Sequence, residues 1–280
     1  MCKLITGSTP YDLDVMEYGE TKLAALTEKN SHFIEAVINL DSNYKKQKNE
    51  VKPDDKFNPE TMFNDSKGLY CGSFNWWFKQ MSMASSEAEF KRAILGAVIS
   101  IDSSNSTHLV SSVSGRMEMR NRICKACKKS NIDSLKALLN EQFESNNQNH
   151  LISVLTDKTT AIKKDKDGNE SFRYNFSFAS KFCAYASGFL NLKNQYPKYD
   201  KVVSKKLVNY VFAYLGEKLP KNYFKMPDDN SNPQKLAKEL KIYEEYWRYI
   251  DTILKIVNKG KKDPLTYEQF DHIVWYANKG

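Results

Sequence analysis

The stretch of sequence that decides the fold is RYNFSFASKFCAYASGFLNLKNQYPKYDKVV, residues 173–203. Its first half predicts a helix over about 176–191, because aromatic residues recur along it at helical spacing. The loop NQYPKYD follows, and the pattern after it predicts a second helix over 201–217. The stretch therefore predicts two consecutive antiparallel helices. The recurring aromatic residues are Phe178, Phe182, Tyr185 and Phe189.

Helical periodicity continues on both sides of this stretch. An amphipathic pattern over residues 10–40 predicts helical structure near the start of the chain. Further helices are predicted over about 117–128 and 134–144, with Asp133 as the N-cap of the second. Residues 41–68 are polar and rich in lysine, which predicts a long surface loop.

Three more helices are marked by the residues at their ends. Ser86 with Glu89 forms a capping box, and Thr266 with Gln269 caps the last helix. The Asn-Pro pair at residues 232–233 predicts the start of a long helix. The predicted core face of the helix after Ser86 is Phe90, Ala93, Ile94, Ala97, Val98 and Ile101. The predicted buried stripe of the long helix is Leu236, Leu240, Tyr243, Trp247, Ile250, Leu254 and Val257.

Strand signals are confined to one place, where KDKDGNES at residues 164–171 predicts the turn of a short hairpin. Strands and helices do not alternate and no long repeat appears, so a doubly wound sheet and a solenoid are excluded. We predict a mainly α fold of one domain with two lobes. The central helical lobe covers about 70–195, the second lobe covers about 1–69 plus 200–280, and residues 173–203 line the cleft.

The composition is that of a basic protein, with 42 Lys and Arg against 34 Asp and Glu, a net charge of +8 and a pI near 9.0. Nucleic acid is the commonest polyanionic partner of such a protein, and a lysine-rich surface kept for solubility is the alternative. The odd number of cysteines, five, indicates reduced thiols. No run has the length of a membrane span and the first residues do not form a secretory signal. We expect a cytoplasmic monomer that does not bind membranes.

Motifs for cofactors and metals are absent from the sequence. It contains no GxGxxG, no GxxxxGK[ST] and no HExxH, so dinucleotide and P-loop sites are not supported. Cys124 and Cys127 form a lone CxxC pair, which supplies two of the four ligands of a structural zinc site. We therefore expect no metal and no cofactor, and chemistry done by Lys, Asp, Glu and Tyr side chains.

Lys181 and Asp200 are the residues on which a functional hypothesis rests. They are 19 residues apart, at matching ends of the two predicted antiparallel helices. After one helix and one loop, the chain is back near the end at which the first helix began. Both side chains are therefore expected to face one cleft. Two plainer alternatives stay open: Asp200 serves only as a helix N-cap, and Lys181 is a solvated helix lysine.

Lys181 and the segment YPKYD, residues 196–200, resemble the helix-hairpin-helix superfamily of DNA glycosylases, in particular divergent bacterial members. In that superfamily a lysine follows the hairpin, and a catalytic aspartate lies at the same spacing, after a proline and at a helix start. The mostly helical build, the basic charge and the aromatic last helix are also similar. The glycine-containing hairpin is absent, and residues 175–180 stand in its place.

The resemblance implies an enzyme that flips a modified base out of double-stranded DNA and cleaves its N-glycosidic bond. Asp200 would stabilise the sugar cation, and Lys181 would form a Schiff base if the enzyme also cuts the strand. The residues expected in the base pocket or as a wedge, or otherwise in the core, are Tyr70, Phe74, Trp76 and Trp77. The residues expected to bind DNA phosphates are Ser177, Ser180, Lys198, Lys201, Lys205 and Lys206.

Three functions are therefore open at this point. The first is a DNA glycosylase, with phage DNA that carries bulky, for example glucosylated, bases as a substrate that the resemblance suggests. The second is a basic helical protein that senses altered nucleic acid without cutting it. The third is an unrelated all-α interaction protein. Formation of abasic sites separates the first from the others, and salt-dependent DNA binding separates the second from the third.

Overall fold

A computed structural model describes most of the chain, and the described residues are mainly helical, which confirms the predicted fold class. None of the described helices has the length and apolar character needed to cross a membrane. The chain divides into unit 1, drawn from Met1–Asn39, Pro197–Met226 and Lys241–Gly280, and unit 2, drawn from Leu40–Tyr196 and Pro227–Leu240. The described residues are 13–18, 21–35, 70–105, 109, 113–157, 162–164, 170–172, 174–227 and 234–278.

Unit 2 is built around one central helix. Its helices are α1 (Tyr70–Met83), α2 (Glu87–Asn105), α3 (Val113–Ala126), α4 (Ile132–Asn140), α5 (Leu151–Thr156) and α6 (Phe176–Phe189). The helix α1 lies along α2, α2 packs on α3, and α5 packs on α6. The helix α6 also contacts α1, α2 and α4, so it is the central element of this unit.

The helix α6 confirms the helix that the sequence predicts there. Phe178 and Phe182 are fully buried, and their rings stack with centroids 6.0 Å apart. The predicted core face of α2 is buried throughout. At its start, the backbone N–H of Glu89 donates to the hydroxyl of Ser86 at 3.3 Å, and the Glu89 carboxylate accepts from the N–H of Ser85. The N-terminal cap and the buried face of α2 therefore agree with the sequence pattern.

Of two further local predictions in unit 2, one is confirmed and one is wrong. The strands β3 (Ile162–Lys164) and β4 (Glu170–Phe172) pair antiparallel, as the turn signal predicts. The N-cap of α4 is Asn131, whose side chain accepts from the N–H of Ser134 at 2.9 Å. Asp133 lies in the first turn instead, because the helix begins two residues earlier than the pattern predicts.

In unit 1 the chain forms a hairpin where the sequence predicts a helix. The strands β1 (Val15–Tyr18) and β2 (Thr21–Ala24) pair antiparallel, and helical residues begin only at 28. The buried side chain of Asn30 accepts from the N–H of Asp14 and donates to the carbonyls of Asp14 and Ala25. These bonds satisfy backbone groups at the base of the hairpin and favour it over a continuous helix.

The other elements of unit 1 are α7 (Lys201–Leu215), the part of α8 (Lys235–Val257) from residue 241 onward, and α9 (Tyr267–Asn278). The helix α9 packs on α7 and on β2. Two tyrosines of α7 bond to the chain at the end of the hairpin. The hydroxyl of Tyr210 donates to the Ala24 carbonyl at 2.9 Å, and the hydroxyl of Tyr214 accepts from the N–H of Leu26 at 3.0 Å.

The buried face of α8 differs from the predicted stripe. Trp247 is only half-buried, and its indole N–H donates to the hydroxyl of Tyr267. Tyr246 is fully buried instead, because the interior offers its hydroxyl a backbone carbonyl to bond. The start of α9 follows the prediction, since Thr266 and Gln269 exchange bonds between side chain and backbone N–H. The predicted start of α8 at residues 232–233 and the loop at 41–68 lie outside the described residues.

Candidate functional site

The loop that leads into α7 is held by tyrosine hydroxyls within unit 1. The hydroxyl of Tyr243 donates to the carbonyl of Pro197 at 2.7 Å, and that of Tyr246 donates to the carbonyl of Lys198 at 3.1 Å. Both tyrosines lie on α8 and are fully buried. These two bonds tie the carbonyls of Pro197 and Lys198 to α8.

Tyr199, in the same loop, ties it to the segment after α7. Its hydroxyl donates to the carbonyl of Phe224 at 2.8 Å and accepts from the N–H of Met226 at 3.2 Å. Its ring meets that of Tyr246 edge to face, with the centroids 5.5 Å apart. The loop is therefore anchored through both its backbone and its buried side chain.

Asp200 ends this loop and is the N-cap of α7. Its Oδ1 accepts from the backbone N–H of Val202 at 2.7 Å, and the side chain is half-buried. Burial raises the pKa of the Tyr246 hydroxyl, and the nearby charges of Asp271 and Asp200 add to the effect. The cap uses one carboxylate oxygen and leaves the other outside this bond.

Lys198 is not available as a phosphate contact. Its side chain is 9% exposed, and its ammonium lies 3.1 Å from a carboxylate oxygen of Glu268 on α9. The positive charge of Lys198 lowers the pKa of Glu268. Burial lowers the pKa of His272, one turn further along α9, to about 4, and the charge of Lys198 adds to the effect. Lys198 therefore belongs to a structural ion pair, which corrects the prediction for this residue.

The remaining predicted phosphate contacts differ in exposure. Lys201 and Lys205, one turn apart on α7, are exposed, and Lys206 is half-buried. Ser180 is fully buried in α6, and its hydroxyl donates to the carbonyl of Ser177 at 3.3 Å. A hydroxyl in the core of unit 2 has no access to a phosphate, so the prediction for Ser180 is wrong.

Lys181 is buried on α6, which contradicts the alternative of a solvated helix lysine. Only 7% of the residue is exposed, and its Nζ donates to the Ser177 hydroxyl at 3.2 Å. Because Ser177 lies one turn earlier, the ammonium points toward the N-terminal end of α6. Ser177 itself is half-buried and serves here as the acceptor for Lys181.

The aromatic side chains of α1 lie mostly in the core of unit 2. Phe74 packs on the ring of Tyr185, with the centroids 4.6 Å apart, and only 2% of it is exposed. Trp77 is buried as well, so both residues lie in the core of unit 2, which is the alternative that the sequence left open. Trp76 is 37% exposed and remains accessible to a ligand. The side chain of Tyr70 lies outside the described residues.

Lys181 belongs to unit 2 and Asp200 belongs to unit 1. Their common cleft remains a prediction. A buried pair that sequence reasoning missed lies at the start of α8, where Lys235 and Glu239 approach to 3.6 Å. Lys and Glu four residues apart are typical of a solvated helix face, so the sequence carries no signal that this pair is buried.

In comparisons with protein-family models, with curated proteins and with solved structures, nothing matches this chain. The resemblance to the helix-hairpin-helix glycosylases therefore rests on the residues of the 173–203 stretch. Among the side chains that the structure describes, no group of three or more His, Cys, Asp or Glu is arranged to hold a metal ion.

Proposed function

We propose that this protein is a DNA glycosylase that removes a modified base, with Asp200 and Lys181 as its catalytic residues. The observation that carries the proposal is the fixed position of Asp200, which follows a loop anchored by buried tyrosines and begins α7. A carboxylate that stabilises developing charge must be positioned before the reaction begins, and this loop provides such positioning.

The proposed role of Asp200 follows from the charge of the reaction. When an N-glycosidic bond breaks, positive charge develops on the sugar, as in other glycoside cleavage. A nearby carboxylate lowers the energy of that state, and the departing base leaves with the bonding electron pair. The hydrogen bond from the N–H of Val202 holds the Asp200 carboxylate in place at the N-terminal end of α7, which suits this role.

The proposed role of Lys181 is that of an amine nucleophile. Its attack on C1′ of the sugar displaces the base, and ring opening then gives a Schiff base between the lysine and the sugar. Elimination of the 3′ phosphate cuts the strand. In support of this role, Lys181 lies on α6 within the proposed 173–203 segment, and its Nζ donates to the Ser177 hydroxyl near the start of that helix. A monofunctional enzyme would instead use water as the nucleophile.

A second function, a non-catalytic sensor of altered DNA, is favoured by one observation. Asp200 already has a structural task as the N-cap of α7, and a cap needs no catalytic role to account for it. Such a protein would still bind DNA through exposed lysines such as Lys201 and Lys205.

The test of the proposed function is incubation with genomic DNAs that carry different modified bases, including glucosylated ones. We expect alkali-labile sites in at least one modified DNA and none in unmodified DNA of matched sequence. Salt-dependent binding without any alkali-labile site would favour the sensor. If the protein fails to bind DNA even at low salt, both functions are wrong.

Lys181→Gln divides the two possible mechanisms on any DNA that is cleaved. Loss of strand cutting and of borohydride trapping would identify Lys181 as the Schiff-base nucleophile. Base release without trapping in the wild type would make the enzyme monofunctional. Lys193→Gln, at an exposed lysine of the same unit, is the matched control and should leave both readouts unchanged.

A further inference from the structure

A run of lysines between α8 and α9 has no task in the mechanism above. Residues 255–262, KIVNKGKK, contain four lysines and no acidic residue, so eight residues hold as much positive charge as half of the net charge of +8. A surface that is charged only for solubility mixes both signs, and a run of one sign indicates an anionic partner. The four are Lys255, Lys259, Lys261 and Lys262.

The first of these lysines is explained by the fold itself. Lys255 lies in the last turn of α8, where the negative end of the helix favours a cation. Its ammonium also lies 2.6 Å from a carboxylate oxygen of Asp251. Lys259, Lys261 and Lys262 lie beyond the end of the helix and form no ion pair with any residue that the structure describes. The stability of the fold therefore does not account for these three.

The side chain of Asn258 closes the loop that carries them. Its amide nitrogen donates to the carbonyl of Leu265 at 2.8 Å, and its amide oxygen accepts from the N–H of Leu265 at 2.7 Å. The N–H of Lys261 donates to the carbonyl of Asn258 at 3.0 Å, and Leu265 is buried. Residues 259–264, here called the lysine loop, are therefore held at both ends. A loop that is already ordered loses less conformational entropy when it binds a partner.

The lysine loop presents its charges to solvent. Lys259 and Lys262 are exposed, and Lys261 is half-buried. Gly260 turns the chain between them with a φ of +76°, and a Cβ atom added there would meet nothing within 4 Å. Three ammonium groups within four residues are therefore accessible to a polyanion.

The first turn of α9 connects the lysine loop to the segment before α7. Glu268 lies three residues after Leu265, and its carboxylate lies 3.1 Å from the ammonium of Lys198. Lys198 lies three residues before Lys201, the first residue of α7. The lysine loop and the start of α7, with its exposed Lys201 and Lys205, therefore lie at the same end of unit 1.

We propose that the lysine loop is a second binding surface for the phosphate backbone of duplex DNA. The proposal rests on the proposed function for its choice of DNA, and it adds a contact beyond those of α7. The ammonium groups of Lys259, Lys261 and Lys262 bind phosphates and release condensed cations from the duplex. Phosphate contacts at two places fix the position of the protein on the duplex while a base is out of the stack.

The composition of the lysine loop favours a phosphate backbone over other polyanions. Lysine binds phosphate as a point charge, whereas arginine is the residue suited to the paired bonds that a carboxylate accepts, and the loop contains no arginine. A membrane-surface site combines basic residues with Trp, Phe or Leu side chains that enter the lipid. Residues 259–264, KGKKDP, contain none of these three residue types.

The test measures binding of a labelled, unmodified DNA duplex to the full chain by fluorescence anisotropy over a range of salt concentrations. The loop variant combines Lys259→Gln, Lys261→Gln and Lys262→Gln. It should bind the duplex about tenfold or more weakly than the wild type. The slope of log K against log salt should fall by about three, because each phosphate contact contributes about 0.9.

Two controls separate the lysine loop from the overall charge. Lys218→Gln with Lys221→Gln and Lys241→Gln changes the net charge equally, at exposed lysines of the same unit, and should leave the slope nearly unchanged. Asn258→Ala changes no charge but removes both side-chain bonds to Leu265. It should weaken binding of the duplex about threefold or more, because the loop must then be ordered when it binds.

Equal effects of the two triple variants would overturn the proposal, and so would full affinity of the Asn258→Ala variant. A poly-glutamate peptide of matched charge should bind the wild type and the loop variant equally. If the loop variant loses as much affinity for the peptide as for the duplex, the lysine loop binds acidic protein segments and the proposal is wrong.

The assay uses unmodified DNA and needs no base release, so it separates this proposal from the proposed function. Absence of alkali-labile sites, with the differences between variants intact, would refute the glycosylase alone. Loss of those differences, with alkali-labile sites still formed, would refute the role of the lysine loop alone.

Discussion

A single side chain, Asp200, separates the two functions proposed above, the glycosylase and the non-catalytic sensor. As a cap it needs only an oxygen that accepts from the N–H of Val202, and an amide oxygen serves that purpose. As a catalytic group it needs a negative charge near C1′ of the sugar. One substitution removes the charge and keeps the cap, so the two roles are experimentally separable.

Asp200→Asn should lower base release by about two orders of magnitude or more, a loss of about 3 kcal/mol, if the carboxylate stabilises the sugar cation. The thermal midpoint should barely change, because Asn caps helices about as well as Asp. Single-turnover base release and a melting curve check the two halves of this prediction. Asp200→Ala is the control for the cap and should cost about 1 kcal/mol of stability. Near-normal base release by the Asn variant would leave Asp200 with its capping role alone.

His150 makes the stability of unit 2 depend on pH. It caps α5 by accepting from the N–H of Ile152 through Nδ1, which requires a neutral ring. Burial lowers its pKa from 6.5 to about 4. The unfolded chain therefore binds a proton between pH 6.5 and 4 that the folded chain does not, so the free energy of unfolding falls as pH falls through this window.

His150→Asn removes the titrating group and keeps a capping oxygen. The wild type should lose about 2 kcal/mol more stability than this variant between pH 7 and pH 5, measured by urea unfolding. Glu239 acts in the opposite sense, because its raised pKa favours the folded state as pH falls. Glu239 is present in the wild type and in the His150→Asn variant, so its effect cancels in the comparison. Parallel pH profiles would show that His150 titrates normally in the folded chain.

At the scale of single residues, the sequence gives the chemical type of a side chain but does not show whether the fold buries it. Lys198 and Lys201 lie three positions apart and look alike in the sequence, yet one is buried against Glu268 and the other is exposed. The difference arises from α9, a helix far along the chain that supplies the partner for Lys198. Lys235 and Glu239 are also buried, although their spacing of four residues is typical of a solvated helix face.

At the scale of elements, the contact between α1 and α2 depends on one glycine. A Cβ atom added at Gly96 would lie 2.2 Å from the ring of Trp77, well inside van der Waals contact. Trp76 meets the same ring edge to face, with the centroids 4.3 Å apart. The Trp77 ring, or the helix that carries it, would therefore have to shift to admit a Cβ atom.

Gly96→Ala should therefore destabilise the protein by about 1–3 kcal/mol, although alanine has the higher helix propensity. Gly188→Ala is the matched control, because Gly188 also lies in a helix and a Cβ there would meet nothing within 4 Å. The control should gain about 0.5–1 kcal/mol. Urea unfolding of both variants checks the prediction, and a stabilised Gly96→Ala variant would contradict this packing.

Elements whose ends and faces are encoded locally were predictable. The capping boxes at Ser86 and Thr266 and the turn at 164–171 are short-range signals, and the structure has an element at each. The first hairpin was not predictable, because its stability depends on Asn30 and on α7 tyrosines such as Tyr210, which lie outside the strands. Apolar residues in a short segment fit a helix or a strand, and here contacts from elsewhere in the chain decide between them.

At the scale of the whole molecule, composition predicts the fold class and the charge but not the site. A mainly helical chain follows from the periodicity, and a net charge of +8 follows from counting. The candidate site depends on which residues the fold buries. Lys181 and Asp200 are found from their spacing in the sequence, whereas the tyrosines that fix the loop before Asp200 are found only from the structure. Their hydroxyls donate hydrogen bonds to backbone carbonyls, and no sequence motif predicts such bonds.

The last prediction concerns DNA binding as a property of the whole charge distribution. Phosphate contacts release counterions, so affinity for duplex DNA should fall about tenfold to a thousandfold between ~50 and ~200 mM salt. Lys201→Gln with Lys205→Gln should weaken the slope of log K against log salt by about two, because each contact contributes about 0.9. Lys125→Gln with Lys129→Gln changes the net charge equally, at exposed lysines of unit 2. Equal effects of both pairs, measured by fluorescence anisotropy, would mean that overall charge attracts DNA and that α7 has no special part.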